Sequence, residues 1–109
     1  MDNNENTMSG LFEEYLMIYK VINRPVIIKI LKDCLKDELL KEIYELSDGM
    51  RSSRKIAESL NNKCSHSKVI NYWREWALAG IVVPGNFKGR YKAVFSLKEY
   101  GLSMDSDEE

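Results

Sequence analysis

The stretch Ser65-His-Ser-Lys-Val-Ile-Asn-Tyr-Trp-Arg-Glu-Trp-Ala-Leu-Ala-Gly80 decides how the rest of the chain is read. Counting back from Gly80, Trp76, Trp73 and Val69 stand four, seven and eleven residues earlier. That spacing puts all three on one face of an α-helix. Ser65 or Cys64 opens this helix, which runs over 65–79, and Gly80 sits where a helix C-terminal glycine belongs. The opposite face carries Ser67, Lys68, Ile70, Asn71 and Arg74, with His66 at its start. One stripe is built for burial and the other is rich in hydrogen-bonding groups.

Working outward, Ser52 or Ser53 caps a short helix over 54–60, with Ile56, Ala57 and Leu60 facing inward. Asn61-Asn62-Lys63-Cys64 reads as the turn between the two helices, because asparagine tolerates left-handed geometry. After Gly80 the period changes from helical to alternating. Residues 81–83 predict a strand that Pro84 stops, and 85–90 a turn of hairpin type. Tyr91, Ala93, Phe95 and Leu97 then alternate with Lys92, Val94, Ser96 and Lys98, which predicts a half-buried return strand.

The N-terminal half is helical by the same test. Leu11, Phe12, Tyr15, Leu16, Ile18, Tyr19 and Ile22 recur at spacings of three and four, and Ser9 can cap the run. Asn23-Arg24-Pro25 interrupts it. A second apolar run from Val26 to Leu46 predicts helix, bent or broken near Lys36-Asp37; the β-branched Val26-Ile27-Ile28 leaves a strand open there. The fold class is mainly α with a small β-hairpin (α+β). The expected organisation is a disordered start over 1–9, a helical extension over 10–36, a domain over 37–102 and a disordered acidic tail over 103–109.

Charge is sorted along the chain. Residues 1–48 hold ten acidic and six basic side chains, 49–98 hold two and ten, and 99–109 hold five and none. A formal total of −1 therefore hides a strongly basic central segment flanked by acid. Such asymmetry points to an electrostatic partner, most often nucleic acid.

Other classes find little support. No run of about 18 apolar residues exists, so no transmembrane helix is expected. The polar, acidic start is unlike a secretory signal. Cys34 and Cys64 form no CxxC, and with the single His66 they do not make a four-ligand zinc site without carboxylate help. They read as reduced cysteines of a cytoplasmic protein. There is no GxxxxGK, GxGxxG or HExxH, and no nucleophile–base set. The expectation is a non-enzyme with no catalytic residue, metal, cofactor or small-molecule ligand.

The ordered set Ser53-Arg-Lys-Ile-Ala-Glu-Ser-Leu60, Ser65 to Trp76, Ala79-Gly-Ile-Val-Val83 and Phe95-Ser-Leu-Lys-Glu-Tyr-Gly101 resembles a winged helix-turn-helix. It is similar to the DNA-binding core of small bacterial and archaeal regulators of the MarR, ArsR and PadR type. The resemblance implies a winged helix-turn-helix with an N-terminal helical extension, binding double-stranded DNA as a transcriptional regulator. His66, Ser67, Lys68, Ile70, Asn71 and Arg74 would then enter the major groove. Asn71 suits adenine, Lys68 or Arg74 guanine or phosphate, and Ile70 a thymine methyl. The wing would offer Asn86, Lys88, Arg90 and Lys92 to the minor groove or backbone, and Arg51, Arg54 and Lys55 would hold phosphates. Plain alternatives stand beside these roles. The basic residues also suit a solvated surface, and Lys88 and Arg90 also suit a hairpin edge kept soluble.

The main competing function is a winged-helix interaction module or adaptor subunit, since acidic flanks resist nonspecific DNA binding. The apolar content of 11–22 exceeds what a lone helix buries on one face. The expectation is a homodimer through the N-terminal helices, which would set two recognition helices about 34 Å apart; the alternative is that this helix folds back on its own core.

Overall fold

The computed structural model describes residues 3–103, with side chains from Gly10 onward. Helices α1 (Asn3–Ile22), α2 (Arg24–Cys34), α3 (Glu38–Leu46), α4 (Ser53–Ser59) and α5 (His66–Ala79) precede strands β1 (Val82–Pro84) and β2 (Tyr91–Ala93). The expected class, mainly helical with one small antiparallel hairpin, is what forms. Met1, Asp2 and the acidic tail from 104 lie outside the described residues.

Local chemistry sets the helix ends. The side chains of Asp37, Ser52 and Ser65 accept from the backbone N–H of Leu40, Lys55 and Lys68, capping α3, α4 and α5. Gly80 ends α5 at φ 86°, in the left-handed region that glycine enters without a Cβ penalty. Asn61 and Asn62 take the same region at φ 56° and 61°, which makes the tight α4–α5 turn. Pro25 stands in the first turn of α2, where a missing N–H costs nothing. The Asn23 corner holds because its backbone N–H and its side-chain amide both donate to the Tyr19 carbonyl, each at 2.9 Å.

Several expectations change. α1 starts at Asn3, so Ser9 lies inside the helix and does not cap it, and the stretch 1–9 read as disordered is helical from Asn3. Val26-Ile27-Ile28 is helix, because Ile27 and Leu31, one turn apart, bury on the same face. Ile27, Leu31 and Leu35 lie in the same buried cluster as Trp73, Trp76 and Leu97. α2, read from sequence as part of the extension, is thus packed into the domain. Ser103, read as the start of the tail, is buried.

The hairpin is shorter on one side and wider on the other than its pattern suggests. β1 pairs with β2 as Val82↔Ala93, Val83↔Lys92 and Pro84↔Tyr91, so Pro84 is the last rung and does not precede the stop. The return strand does not run to Lys98. Past Ala93 one more bond keeps the register, and the backbone donor after it is taken elsewhere. Val94 N–H reaches Ile81 O at 2.9 Å, and Phe95 N–H donates to the Tyr44 hydroxyl at 3.1 Å. Burial still alternates, with Leu97 and Tyr100 closing the core. On the far side of β2 the segment 47–49 adds a third edge. Ala93 N–H donates to Ser47 O and Gly49 N–H to Tyr91 O, both at 2.9 Å, around an Asp48↔Lys92 bridge.

Aromatic side chains fill the centre. Trp73 packs on Tyr91 and donates its indole N–H to Ser47 Oγ at 2.9 Å. Trp76 meets Tyr44 edge-on and Tyr72 face-on, at centroid distances of 5.6 and 5.7 Å. The buried Tyr44 hydroxyl donates to Ile81 O at 2.8 Å while accepting from Phe95. Helix α1 stands apart: its large apolar residues are exposed, its main contact is with α2, and the radius of gyration is 16.1 Å. A compact chain of this length would have a value of about 13 Å.

Burial pushes the Tyr44 phenol up to about 12. Its folded value thus exceeds the unfolded value of about 10, so the stabilisation is complete below that pH and is lost as pH rises through the folded value. Tyr44→Phe leaves Ile81 O and Phe95 N–H without this partner. It should cost about 1–3 kcal/mol at neutral pH by urea denaturation. The gap between variant and wild type should narrow as pH rises from about 10 to 12.

Candidate functional site

Burying Val69, Trp73 and Trp76 fixes the rotation of α5 and turns the opposite side to solvent. Ser67, Lys68, Asn71 and Arg74 are exposed there, Ile70 is half-buried, and Leu78, at 92% exposure, extends the same stripe toward the C-terminal end. Ser67, Asn71, Arg74 and Leu78 follow spacings of four, three and four, so they form one row along the helix. Lys68 and Glu75 flank that row on one side. Glu75 also borders a groove between α5 and the α2–α3 junction that includes Asp33 and Lys36.

The start of α5 adjoins the start of α4. Arg54, Asn62, Ser65 and His66 line one groove of about 340 Å³, together with the Glu58 carboxylate. Arg54 and Lys55 are exposed on the first turn of α4, and no ion pair among the described residues engages them. The same holds for Lys68, Arg74 and Lys88. These five cations, with His66, Ser67 and Asn71, form the open part of the sequence-predicted set. Asn62 was not foreseen there; its left-handed backbone was legible as a turn but not as a groove wall.

Two predicted contacts are already engaged inside the chain. The Arg51 guanidinium donates to Leu46 O at 3.3 Å and pairs with the Asp48 carboxylate at 3.0 Å. Arg90 donates to Met50 O at 2.6 Å and lies over the Phe87 ring, 5.2 Å from its centroid. Arg90 is therefore a strut between the hairpin tip and the 48–51 loop, while Lys88 and Asn86 remain exposed at the tip. Lys92 separates from them. Strand neighbours Tyr91 and Lys92 point to opposite faces, and Lys92 borders a groove shared with Glu45, Asp48 and Glu99.

The loop under the hairpin is tightly made. A Cβ on Gly85 would stand 2.5 Å from Gly49 Cα, so the two backbones touch and neither position accommodates a side chain. Asp48 Oδ1 accepts from the backbone N–H of Met50 and of Arg51, both at 2.9 Å. The Arg51 N–H, more than any other contact, holds this carboxyl below the usual carboxylate range. Asp48 thereby sets the direction of the Met50 carbonyl that receives Arg90.

Burial pushes the Cys34 and Cys64 thiols up, which keeps both protonated, and both are free of disulfides. Among the described residues no three His, Cys, Asp or Glu side chains gather at metal-binding spacing. No helix among them is long and apolar enough to cross a membrane. No family model matches the chain, and no curated protein or solved structure is detectably similar to it.

Asp48→Ala should cost about 1 kcal/mol near neutral pH, the worth of its net hydrogen bonding at an exposed site where the ion pair adds little. A depressed carboxyl contributes stability above its unfolded value and loses it as pH falls through the folded value. Denaturation midpoints of variant and wild type should therefore converge below about pH 4.

Proposed function

We propose that this protein binds double-stranded DNA through a winged helix-turn-helix, acting as a small transcriptional regulator. The observation that carries the reading is the solvent row of α5. Ser67, Lys68, Asn71 and Arg74 are exposed opposite a fully buried aromatic stripe, and no partner among the described residues occupies their side chains. A helix held this rigidly on one side, with donors on the other, suits a major groove. The order α3, a strand-like 47–49 edge, α4, α5 and a hairpin paired back onto that edge supports the same reading.

On this reading the helix over 65–79 enters the major groove, with Asn71 and Arg74 toward base edges and Ile70 toward a thymine methyl. Lys88 and Asn86 at the tip of the 85–92 wing reach the minor groove or the backbone. Arg54 and Lys55 hold phosphate beside the free N–H groups at the start of α5. Arg51 and Arg90 act indirectly, by holding the loop and the wing in place. Lys92 drops out of the contact set because it shares its groove with three carboxylates.

A second reading, a protein-interaction module or adaptor, is favoured by exposed apolar side chains on α5 and at the hairpin. Leu78 is 92% exposed on the α5 row, and Phe87 at the wing is 49% exposed.

The test is fluorescence anisotropy of a labelled random-sequence duplex titrated across salt. Binding with a steep salt slope is expected, and Lys88→Ala should weaken all sequences alike and reduce the slope by about 1. On a selected site, Asn71→Ala should relax preference at one position by about 1–3 kcal/mol. No binding at low salt would overturn the DNA reading in favour of the adaptor.

A further inference from the structure

Helix α1 presents an apolar face that nothing else in the described residues covers. Leu11, Phe12, Tyr15, Ile18, Tyr19 and Ile22 are between 54% and 70% exposed. Leu11, Tyr15, Ile18 and Ile22 recur at spacings of four, three and four, the seam of a two-helix coiled coil. Phe12 and Tyr19 widen the seam on one side. At the foot of the helix, a groove of about 180 Å³ lined by Tyr19, Val26, Ile30, Ala79 and Phe95 continues the apolar surface.

We propose that the occupant of this face is a second copy of the chain, its α1 lying antiparallel to the first. Area supports a protein partner. Large side chains of roughly 200 Å², exposed to this extent, present on the order of 800 Å² per copy, which is what a stable interface takes from each side. Solitary patches on monomers are usually smaller.

The sequence of α1 is complementary to itself when reversed. Leu11 falls opposite Ile22 of the second copy and Tyr15 opposite its Ile18, so each seam residue meets one of the other kind. Phe12 lies beside Tyr19 of the second copy. Two-fold pairing of this sort closes on itself. A membrane surface is a poorer occupant, because the other side of α1 sets Glu13, Glu14 and Lys20 around the exposed Met17 and Val21, where an interfacial helix is rich in lysine and arginine.

At 1.5 Å per residue, the two Asn23 corners would stand about 20 Å apart along the helix axis. The domains would leave the pair in opposite directions. Only the consequence of this for DNA spacing rests on the DNA reading. The pairing itself is read by mass and cross-linking in the absence of DNA, so either proposal can fail alone.

The experiment is sedimentation equilibrium of the full chain at micromolar concentration, alone and with Ile18→Glu. The expected mass is twice the 12.7 kDa of one chain. Ile18→Glu should bring it to one chain while the near-ultraviolet signal of the two buried tryptophans stays. A one-chain mass for the wild type would overturn the proposal, and flotation of that monomer with phosphatidylcholine vesicles would reassign the face to lipid. A dimer that Ile18→Glu leaves intact would overturn it equally. For the direction of pairing, Leu11→Cys and Ile22→Cys chains are mixed under mild oxidation. A mixed disulfide is expected, and ready cross-linking of Leu11→Cys to itself would overturn the antiparallel arrangement.

Discussion

The buried hydroxyl of Tyr44 joins three parts of the chain that are distant in sequence. Tyr44 belongs to α3, it donates to the carbonyl of Ile81 just before β1, and it accepts from Phe95 just after β2. One oxygen thus takes the place of a backbone rung and locks the root of the hairpin to a helix. A neutral phenol is needed, since it must donate and accept at once, and burial keeps it neutral. Ser47 performs a similar service one turn along. Its hydroxyl donates to Ile43 O and accepts from the Trp73 indole, tying α3 to α5. Buried polar bonds of this kind add little net energy, but a misplaced core would leave them unmade at much greater cost. They therefore fix position more than they add stability.

These buried bonds also orient the outer groups. With α5 clamped through Trp73 and Trp76, its solvent row has a single direction. With the hairpin clamped at Ile81 and Phe95, its far end is steered by the 48–51 loop. Asp48 aims the Met50 carbonyl, Arg90 grips it, and the Gly49–Gly85 contact removes the slack a side chain would introduce. The hairpin is short but braced at both ends, and Lys88 is exposed at its tip.

Much of this was legible in the sequence, and the parts that were not share a cause. Ser52, Ser65, Gly80 and the Val69–Trp73–Trp76 stripe are local signals, and they located α4 and α5 to within a residue. The 47–49 edge left no trace, because three residues are too few to show a period of two. The truncation of β2 was equally silent, since it depends on a tyrosine fifty-one positions away. Arg51 and Arg90 looked like free cations for the same reason. A guanidinium is a donor fork whose best acceptor is chosen by tertiary geometry, here a backbone carbonyl in each case. The packing of α2 was silent too: its apolar face is ordinary, and nothing local tells that Ile27, Leu31 and Leu35 join the cluster around Trp73 and Trp76.

The sorted charge then acquires a physical use on the proposed reading. Unpaired cations sit on α4, α5 and the wing tip, while carboxylates gather around Lys92 on the sheet's outer face and at the exposed end of α1. A near-neutral total gives weak long-range attraction, so contact with DNA depends on a close fit of the basic face. A single domain offers about five free cations to phosphate, few enough that moderate salt would strip it from random sequence. Two domains joined through α1, as proposed, would double the contacts and make the second engagement intramolecular, raising affinity only where both half-sites lie at the right spacing. On that reading the acidic surround would lower binding everywhere, and pairing would restore it selectively. The exposed arm and the modest basic face would then be parts of one device, in which discrimination comes from geometry more than from net charge.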